Sequence, residues 1–328
     1  METETGMNKQ LEKFSAIVPE SVIKLSDESY WVGLRTKSGS VEGKLYLPTQ
    51  PNGTVLLFEP GFPGDGSARL DRLWAKGLVE SGFTVFAARH NGTIINGEYS
   101  NNYLNCPKKQ EKAKTDGQEI LGENDDPTIA DWLKEPLVAL EAFASSHQEV
   151  YLAGHSFGTL ATLSSIVDFV KDNPELVSRI KRFVSLAGTA GRYRGDNESP
   201  MKGWSGEVDN DVVRKKVRIG DKEANLEALK DAYLKIHAQA DTFPEDMQFI
   251  FVSPWGNKPG TTDELVHPIE AVDIMASLRR GFLILDRIQQ ADEASGRLAH
   301  DMDNLKPETL VRFLSKDWLP KTQISTLD

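Results

Sequence analysis

Six short apolar runs, none of them alternating with polar residues, place the strongest constraint on how this chain folds. A strand covered on one face alternates apolar and polar residues, whereas a strand covered on both faces is apolar throughout. The six runs therefore predict strands buried within a parallel sheet. They occupy residues 54–58, 84–88, 150–153, 183–186, 249–252 and 282–285.

Amphipathic patterns of helical length accompany these runs. They cover residues 70–80, 128–144, 159–170, 268–280 and 307–317. Strands alternating with helices predict right-handed crossovers and a doubly wound α/β sheet flanked by helices. Ahead of the first run, residues 21–48 hold short β-rich segments split at Gly39, which predicts antiparallel strands joined by a hairpin.

Length, charge and hydrophobicity exclude several classes of protein for this sequence. The chain has 328 residues, 39% of them hydrophobic, a length that suits either two domains or one large α/β domain with an insertion. Its net charge of −11 disfavours non-specific binding to nucleic acid or to an anionic membrane surface. No stretch approaches the roughly 18 uncharged apolar residues of a spanning helix. Cys106 is the single cysteine, and the first 20 residues lack the apolar core of a secretory signal, so we expect a cytoplasmic protein.

Two stretches interrupt the alternation of strands and helices. Residues 91–126 are long and polar, and we expect an extended surface loop there. The interval between the fourth and fifth runs is too long for a simple crossover, and it predicts a helical lid inserted at about 189–246. Residues 1–20 are expected to form an N-terminal arm, and residues 21–328 the α/β domain.

The most specific motif is the five-residue segment Gly154-His155-Ser156-Phe157-Gly158, which follows one strand directly and precedes a helix. Glycines two positions to either side of a serine permit a tight strand-to-helix turn without Cβ clashes. Such a turn lifts the serine hydroxyl above the sheet, with the helix N-terminus beneath it. A turn in which Ser156 merely caps the helix would not need both glycines. The motif therefore predicts a nucleophile elbow.

With this motif in this place, the chain from about residue 21 onward resembles the α/β-hydrolase superfamily. The resemblance implies an eight-stranded, mostly parallel sheet that carries a nucleophile, an acid and a histidine in that chain order. Ser156 occupies the nucleophile position. A serine there, in place of an aspartate, argues against a dehalogenase or an epoxide hydrolase, which need a carboxylate nucleophile.

A serine hydroxyl is a weak nucleophile until a base removes its proton. Six histidines are candidates for this base. The resemblance places the catalytic histidine in the loop after the last strand, where His300 lies. His155 adjoins Ser156 on the turn, so we expect its ring to point away from the base position.

The resemblance also places the acid in the loop after residues 249–252. There the segment GTTD, which ends at Asp263 and is followed by Pro268, is similar to a pattern found in relatives. Asp263 is therefore the predicted acid, and it would hold the imidazole in the required tautomer. Glu264, the next residue, is the alternative.

An oxyanion hole needs two backbone amides directed at the developing charge. Phe157, directly after the nucleophile, would supply one. The resemblance places the other in the loop after residues 54–58, where Phe62 matches. Pro60 stands where relatives have a histidine, so we expect a hydrogen bond that steadies this loop to be lost. Glu59, if it faced inward, would disfavour an oxyanion.

The remaining candidates carry weaker signals. His90, His155, Trp204 and Trp255 are candidates to line a substrate pocket, although aromatic residues in a lid often serve packing alone. The sequence has no phosphate-loop motif and no zinc spacing, so we expect neither a metal nor an organic cofactor. The acidic pair at residues 125–126 is expected to be solvated or to cap a helix.

These observations predict a serine hydrolase that cleaves a carboxylic ester, or a related acyl bond, through Ser156, His300 and Asp263. Its partner would be a small-molecule acyl substrate. A serine peptidase or an acyltransferase of the same fold is the alternative within the enzymes. A degenerate hydrolase that acts as a small-molecule receptor is the alternative of another class, since a receptor needs the pocket but no turnover.

Overall fold

A nine-stranded, mostly parallel sheet runs through the part of the chain that the structure describes. The structure is a computed structural model, and it describes residues 11–64, 70, 73–90, 128–209, 220–256, 260–291, 294 and 298–319. The predicted loop at 91–126, the acidic pair at 125–126 and Cys106 lie outside these residues.

The strands differ in direction between the two sides of the sheet. Their bounds are β1 Ile23–Ser26, β2 Ser29–Thr36, β3 Gly39–Tyr46, β4 Thr54–Glu59, β5 Thr84–Arg89, β6 Glu149–His155, β7 Ile180–Leu186, β8 Gln248–Pro254 and β9 Gly281–Asp286. They follow the order β1-β2-β3-β5-β4-β6-β7-β8-β9 across the sheet. The first three and β5 pair antiparallel, and every pair from β5 through β4 to β9 is parallel.

All six apolar runs are strands of the parallel part, as predicted, and the hairpin at Gly39 joins β2 to β3. The expected count of eight strands is corrected to nine within the described residues, because β1 adds an edge strand antiparallel to β2. Successive side chains of a strand point to opposite faces. In β4, Val55 and Leu57 accordingly join the core on one face, and Leu56 and Phe58 join the core on the other.

Helices cover both faces of this sheet. They are α1 Ala75–Glu80, α2 Ile129–Trp132, α3 Glu135–Phe143, α4 Phe157–Asp172, α5 Met201–Val208, α6 Lys222–Ala238, α7 Ile269–Met275 and α8 Pro307–Phe313. One core contains residues of α2, α3, α4 and α6, and the other contains residues of α1 and α8. Short 3-10 helices span Pro19–Ser21, Val177–Arg179, Ala240–Thr242 and Ala299–Asp301. No helix of the described residues is long and apolar enough to cross a membrane.

Three helical patterns are shorter than predicted. The pattern over residues 128–144 is divided into α2 and α3, because Pro136 lies in the first turn of α3 and cannot donate to a preceding turn. Thr128 caps α2 through a reciprocal capping box with Asp131. The helices α7 and α8 end before residues 280 and 317.

The long segment between β7 and β8 contributes α5 and α6. Leu229, Tyr233 and Ile236 of α6 are fully buried in the core that α4 shares. An ion pair between Lys235 of α6 and Asp168 of α4, 2.5 Å apart, joins the two helices at their half-exposed edge. At the other end of the chain, Phe14 is buried against the ring of Phe143, so the described end of the predicted arm packs on the sheet domain.

Candidate functional site

Ser156 lies between the end of β6 and the start of α4, at the carboxyl edge of the sheet. Its backbone has φ 51° and ψ −120°, a conformation that a side-chain-bearing residue adopts only under strain. The end of β7 helps to hold it, since the Ser156 amide donates to the Leu186 carbonyl over 3.0 Å. The Ser156 carbonyl accepts from the amides of Thr159 and Thr189. The tight strand-to-helix turn predicted from the sequence is present, and the role of Ser156 as nucleophile stays a prediction.

The two glycines of the motif are required by close backbone approaches. A Cβ on Gly158 would lie 2.3 Å from the carbonyl oxygen of Glu59 at the end of β4. A Cβ on Gly154 would lie 2.6 Å from the backbone of Gly158 itself. Both partners are backbone atoms that cannot rotate away, so the turn packs this tightly only with glycine.

His300 and Asp263 come together from two different loops. The Nδ1 atom of His300 lies 2.9 and 3.0 Å from the two carboxylate oxygens of Asp263, and both side chains are buried. Asp263 is itself fixed, because its Oδ1 accepts from the amides of Leu265 and Val266 over 2.9 and 2.8 Å. The carboxylate can therefore hold the proton on Nδ1 and leave Nε2 as the basic nitrogen.

Glu264, the alternative acid, makes a different set of contacts. Its two carboxylate oxygens accept from the backbone amides of Ala299 and His300, each over 3.3 Å. It thus binds the loop that carries His300, whereas Asp263 binds the ring. The structure brings Asp263 and His300 together and leaves Glu264 at the backbone.

His155 connects the elbow to the histidine loop. Its Nε2 lies 2.9 Å from the carbonyl oxygen of His300, and the two rings are 5.0 Å apart. The ring is buried and does not line the cavity described below. Within the described part of the chain no hydrogen bond joins the Ser156 hydroxyl to the His300 ring. Such contacts are often long in enzymes without substrate and shorten when substrate binds.

Phe62 and Phe157, the predicted oxyanion residues, flank Ser156 from two directions. Phe157 is the first residue of α4, and Phe62 lies in the loop after β4. In the described residues neither amide donates a hydrogen bond to another protein group. A Cβ on Gly61, beside Phe62, would lie only 2.9 Å from the Cβ of Ser156, so this loop passes directly over the serine.

A cavity of about 260 Å³ opens beside Ser156. Its walls combine aromatic and aliphatic side chains with hydroxyls and carboxylates. They are Phe62, Ser156, Thr189, Ser199, Pro200, Gly203, Trp204, Glu207, Glu264, Leu265, Val266 and Glu270. Trp204, from α5, is the one of the four predicted pocket residues that lines this cavity.

The other aromatic candidates lie elsewhere. Trp255 is 37% exposed, and its ring meets the edge of His267 at 5.7 Å. His90 is fully buried and stacks on Trp132 at 4.6 Å. His90 was expected at the pocket because it ends a strand at the correct edge of the sheet, but its ring faces a buried glutamate, Glu135.

That glutamate belongs to a buried group that the sequence did not indicate. His90 Nδ1 lies 2.6 Å from Glu135 Oε2 and 3.5 Å from Glu59 Oε1. Burial, and then the neighbouring Glu135 carboxylate, raise the pKa of Glu59 well above its usual value. The ligand atoms of these three residues lie within 4.8 Å of one another. A direct hydrogen bond already uses two of those atoms, so we assign no metal to the group.

The same group contacts the predicted oxyanion loop. His90 Nε2 lies 3.3 Å from the carbonyl oxygen of Pro60. The sequence predicted that a steadying hydrogen bond is lost because Pro60 replaces a histidine. In the structure His90, directly after β5, lies within hydrogen-bond distance of this loop in its place. The Glu59 carboxylate, in turn, faces His90 and Glu135 and does not line the cavity.

A second polar network, also missed from the sequence, forms one wall of the cavity. The Thr189 hydroxyl donates to Glu270 over 2.6 Å and contacts the Tyr233 hydroxyl at 2.5 Å. The Trp204 indole donates to the Tyr233 hydroxyl over 2.7 Å. Burial raises the pKa of Glu270, and hydrogen bonds from Thr189 and from the Gly191 backbone oppose that rise. These residues are up to 81 positions apart, so no local pattern could have revealed the network.

Neither a protein-family model nor a curated protein matches the sequence. Solved structures do resemble it. A serine hydrolase from the polyaromatic-hydrocarbon-degrading bacterium Cycloclasticus zankles is 12% identical with a TM-score of 0.50, covering 87% of this chain and 97% of its own. Est1E from Butyrivibrio proteoclasticus with bound ferulic acid is 14% identical with a TM-score of 0.51, covering 87% and 99%.

A thermophilic carboxylesterase, EstE1, cloned from a metagenomic library, is also similar. It is 13% identical with a TM-score of 0.50, over 92% of this chain and 95% of its own. At such low identity the likeness shows the fold alone. The chain has the α/β-hydrolase fold.

Proposed function

We propose that the protein is a serine hydrolase that cleaves a carboxylic ester or a related acyl bond. One observation carries the proposal: Ser156 sits on a strained strand-to-helix turn and lines a cavity. A strained backbone persists only where its surroundings hold it, and such positions concentrate at active sites. The buried contact between Asp263 and His300 supports the same assignment.

In the proposed mechanism, His300 Nε2 accepts the proton of the Ser156 hydroxyl as its oxygen attacks the substrate carbonyl carbon. The imidazole thereby becomes positively charged, and the Asp263 carboxylate 2.9 Å from Nδ1 stabilises that charge. The same contact fixes the ring and its tautomer.

The attack forms a tetrahedral intermediate with a negative oxygen. We assign its stabilisation to the amides of Phe62 and Phe157, both of which lack a protein acceptor among the described residues. Collapse of the intermediate breaks the bond to the alcohol, which leaves with the proton held by His300. A water molecule then gives a proton to His300 as its oxygen attacks the acyl carbon. Collapse of this second intermediate breaks the bond to the Ser156 oxygen, which regains the proton from His300, and the acid is released.

The segment at about 189–246 is proposed to act as a lid within a single domain that spans 21–328. Trp204 and Glu207 of α5 form part of the cavity wall, so this insertion bounds the space available to substrate. A volume of about 260 Å³ accommodates a small substrate group more readily than a long acyl chain.

A fluorophosphonate probe tests the proposal, because it reacts only with an activated serine. We expect one adduct by intact-mass measurement, mapped to Ser156 by peptide analysis. Ser156→Ala should abolish the adduct and all turnover of p-nitrophenyl acetate. Ser145→Ala, which changes an exposed serine outside the cavity, is the matched control and should keep both.

Failure to label a folded protein would contradict the proposal. It would favour the receptor alternative, in which the cavity binds a small molecule without turnover. Labelling that persists in Ser156→Ala would contradict it as well, because the nucleophile would then lie elsewhere.

A further inference from the structure

The cavity beside Ser156 carries an unbalanced negative charge. Glu207, Glu264 and Glu270 line it, and no lysine, arginine or histidine does so among the described residues. The remaining walls are neutral. A group entering this cavity therefore meets carboxylate oxygens without a neighbouring cation to offset them.

Two of the carboxylates are fixed by hydrogen bonds to neutral groups. Glu264 accepts from the amides of Ala299 and His300. Glu270, nine-tenths buried or more, accepts from Thr189 and from the Gly191 amide. Neutral donors orient these carboxylates and leave their net charge uncancelled.

Glu207 is the carboxylate most available to a ligand. It lies half-buried on α5, and its carboxylate makes no hydrogen bond or ion pair with another described residue. Two described cations have carboxylate partners of their own: Arg194 binds Asp273 over 2.8 Å, and Lys222 binds Asp209 over 2.6 Å. The charge of Glu207 is thus free to act on substrate.

We propose that the enzyme selects esters that carry a positive charge in their acyl or alcohol part and rejects esters that carry a negative charge. This selectivity rests on the ester hydrolysis proposed above. A cation in the cavity exchanges water for carboxylate oxygens, while its carbon atoms pack on Phe62 and Trp204. An anion would lose its hydration and face like charges.

The test compares isosteric esters that differ in charge. With charge in the alcohol, the acetate esters are those of choline, 3,3-dimethylbutanol and 2-hydroxyethanesulfonate. With charge in the acyl part, p-nitrophenyl 4-(trimethylammonio)butanoate is compared with the 5,5-dimethylhexanoate. Each kcat/KM is divided by the rate constant for alkaline hydrolysis, which removes intrinsic reactivity.

In at least one series we expect the cationic ester to exceed the neutral one about tenfold or more, since a partly buried charge pair at contact distance supplies such a factor. The anionic acetate should fall below its neutral isostere by a similar factor. The preference should shrink as sodium chloride rises from about 0.01 to about 0.5 M, because salt screens partly exposed charges. Equal rates in both series, or a preference for the anion, would overturn the proposal.

Glu207→Gln localises the effect, since it removes one negative charge and keeps the shape of the side chain. We expect the ratio of cationic to neutral kcat/KM to fall at least about threefold. Glu175→Gln, an exposed glutamate outside the cavity, changes net charge equally and should leave that ratio unaltered. An equal fall in both variants would mean that the net charge of the protein, and not the cavity, sets the preference.

A binding measurement distinguishes failure of the charge preference from failure of the proposed hydrolase function. In Ser156→Ala, which cannot form an acyl-enzyme, calorimetric titration compares the affinities for two acetate esters, that of choline and that of 2-hydroxyethanesulfonate. Tighter binding of the cation supports the charge preference even if the wild type hydrolyses nothing and Ser156 resists labelling. Equal binding, or tighter binding of the sulfonate, refutes the preference even if Ser156 is an active nucleophile.

Discussion

Replacing Asp263 with asparagine tests which of two neighbouring acids works with His300. Asp263 Oδ1 accepts from the amides of Leu265 and Val266, so the amide oxygen of the introduced asparagine would remain at that position. Its NH2 group would then occupy the place of Oδ2, 3.0 Å from His300 Nδ1. The retained oxygen lies 2.9 Å from Nδ1, but an N–H on Nδ1 would also face the NH2 group. Repulsion between these two N–H groups favours the tautomer in which Nδ1 accepts from the NH2 group and Nε2 carries the proton. The nitrogen that must take the serine proton would already be protonated.

The size of the effect follows from this tautomer change. The corresponding substitution in serine-protease triads lowers kcat by about 10⁴, or about 5 kcal/mol of transition-state stabilisation. We expect a loss of about 10³ to 10⁴ here. Glu264→Gln should lose less than about tenfold, because it keeps one acceptor for the backbone of the His300 loop and leaves the ring contact intact.

The assay is kcat for p-nitrophenyl acetate, together with the rate of fluorophosphonate labelling at Ser156. Urea unfolding of each variant checks that both proteins fold. Comparable losses in the two variants, or a larger loss in Glu264→Gln, would refute the assignment of the acid. An Asp263→Asn protein that unfolds at much lower urea would show a structural effect in place of the tautomer change.

Three further outcomes concern stability, each read from urea unfolding curves. Gly158→Ala should cost about 3 kcal/mol, because its Cβ would lie 2.3 Å from the Glu59 carbonyl oxygen; an unchanged midpoint would contradict the tight turn. Tyr233→Phe should cost about 1–3 kcal/mol, since the buried Trp204 indole loses its acceptor; a neutral effect would contradict the network. Burial lowers the pKa of His147 from 6.5 to about 4, so the unfolded chain binds a proton that the native protein does not. The free energy of unfolding should therefore fall by up to about 3 kcal/mol as pH drops from 6.5 to 4. This fall should be smaller in His147→Phe, and an equal fall in both proteins would contradict the prediction.

Much of the fold could be predicted because its signals are local. An unbroken apolar run such as residues 54–58 records burial on both faces of one strand, and that requirement holds wherever the strand lies in the sheet. The boundaries of α7 and α8 were less predictable, because side-chain periodicity continues past the point where the backbone stops coiling.

The candidate site likewise has a part that local sequence predicts and a part that it does not. Gly154 and Gly158 identify the turn at Ser156 because two backbone approaches within one short segment demand them. The resemblance supplied His300 from its place after the last strand, and Asp263 from the GTTD segment that is followed by Pro268. Order along the chain could not separate Asp263 from Glu264, since the choice depends on which carboxylate meets the ring across a gap of 37 positions.

By itself, the sequence determined the buried parallel strands, the helices between them and the serine turn, because each depends on backbone conformation and hydrophobic pattern within a few residues. Only the tertiary structure decided that His90 faces Glu135 and steadies the Pro60 loop. It alone gathered Glu207 and Glu270 into one acidic cavity. The physical reason is that electrostatic and hydrogen-bond partners depend on which loops meet at the carboxyl edge of the sheet. Contacts between distant loops produce no periodic pattern in the sequence.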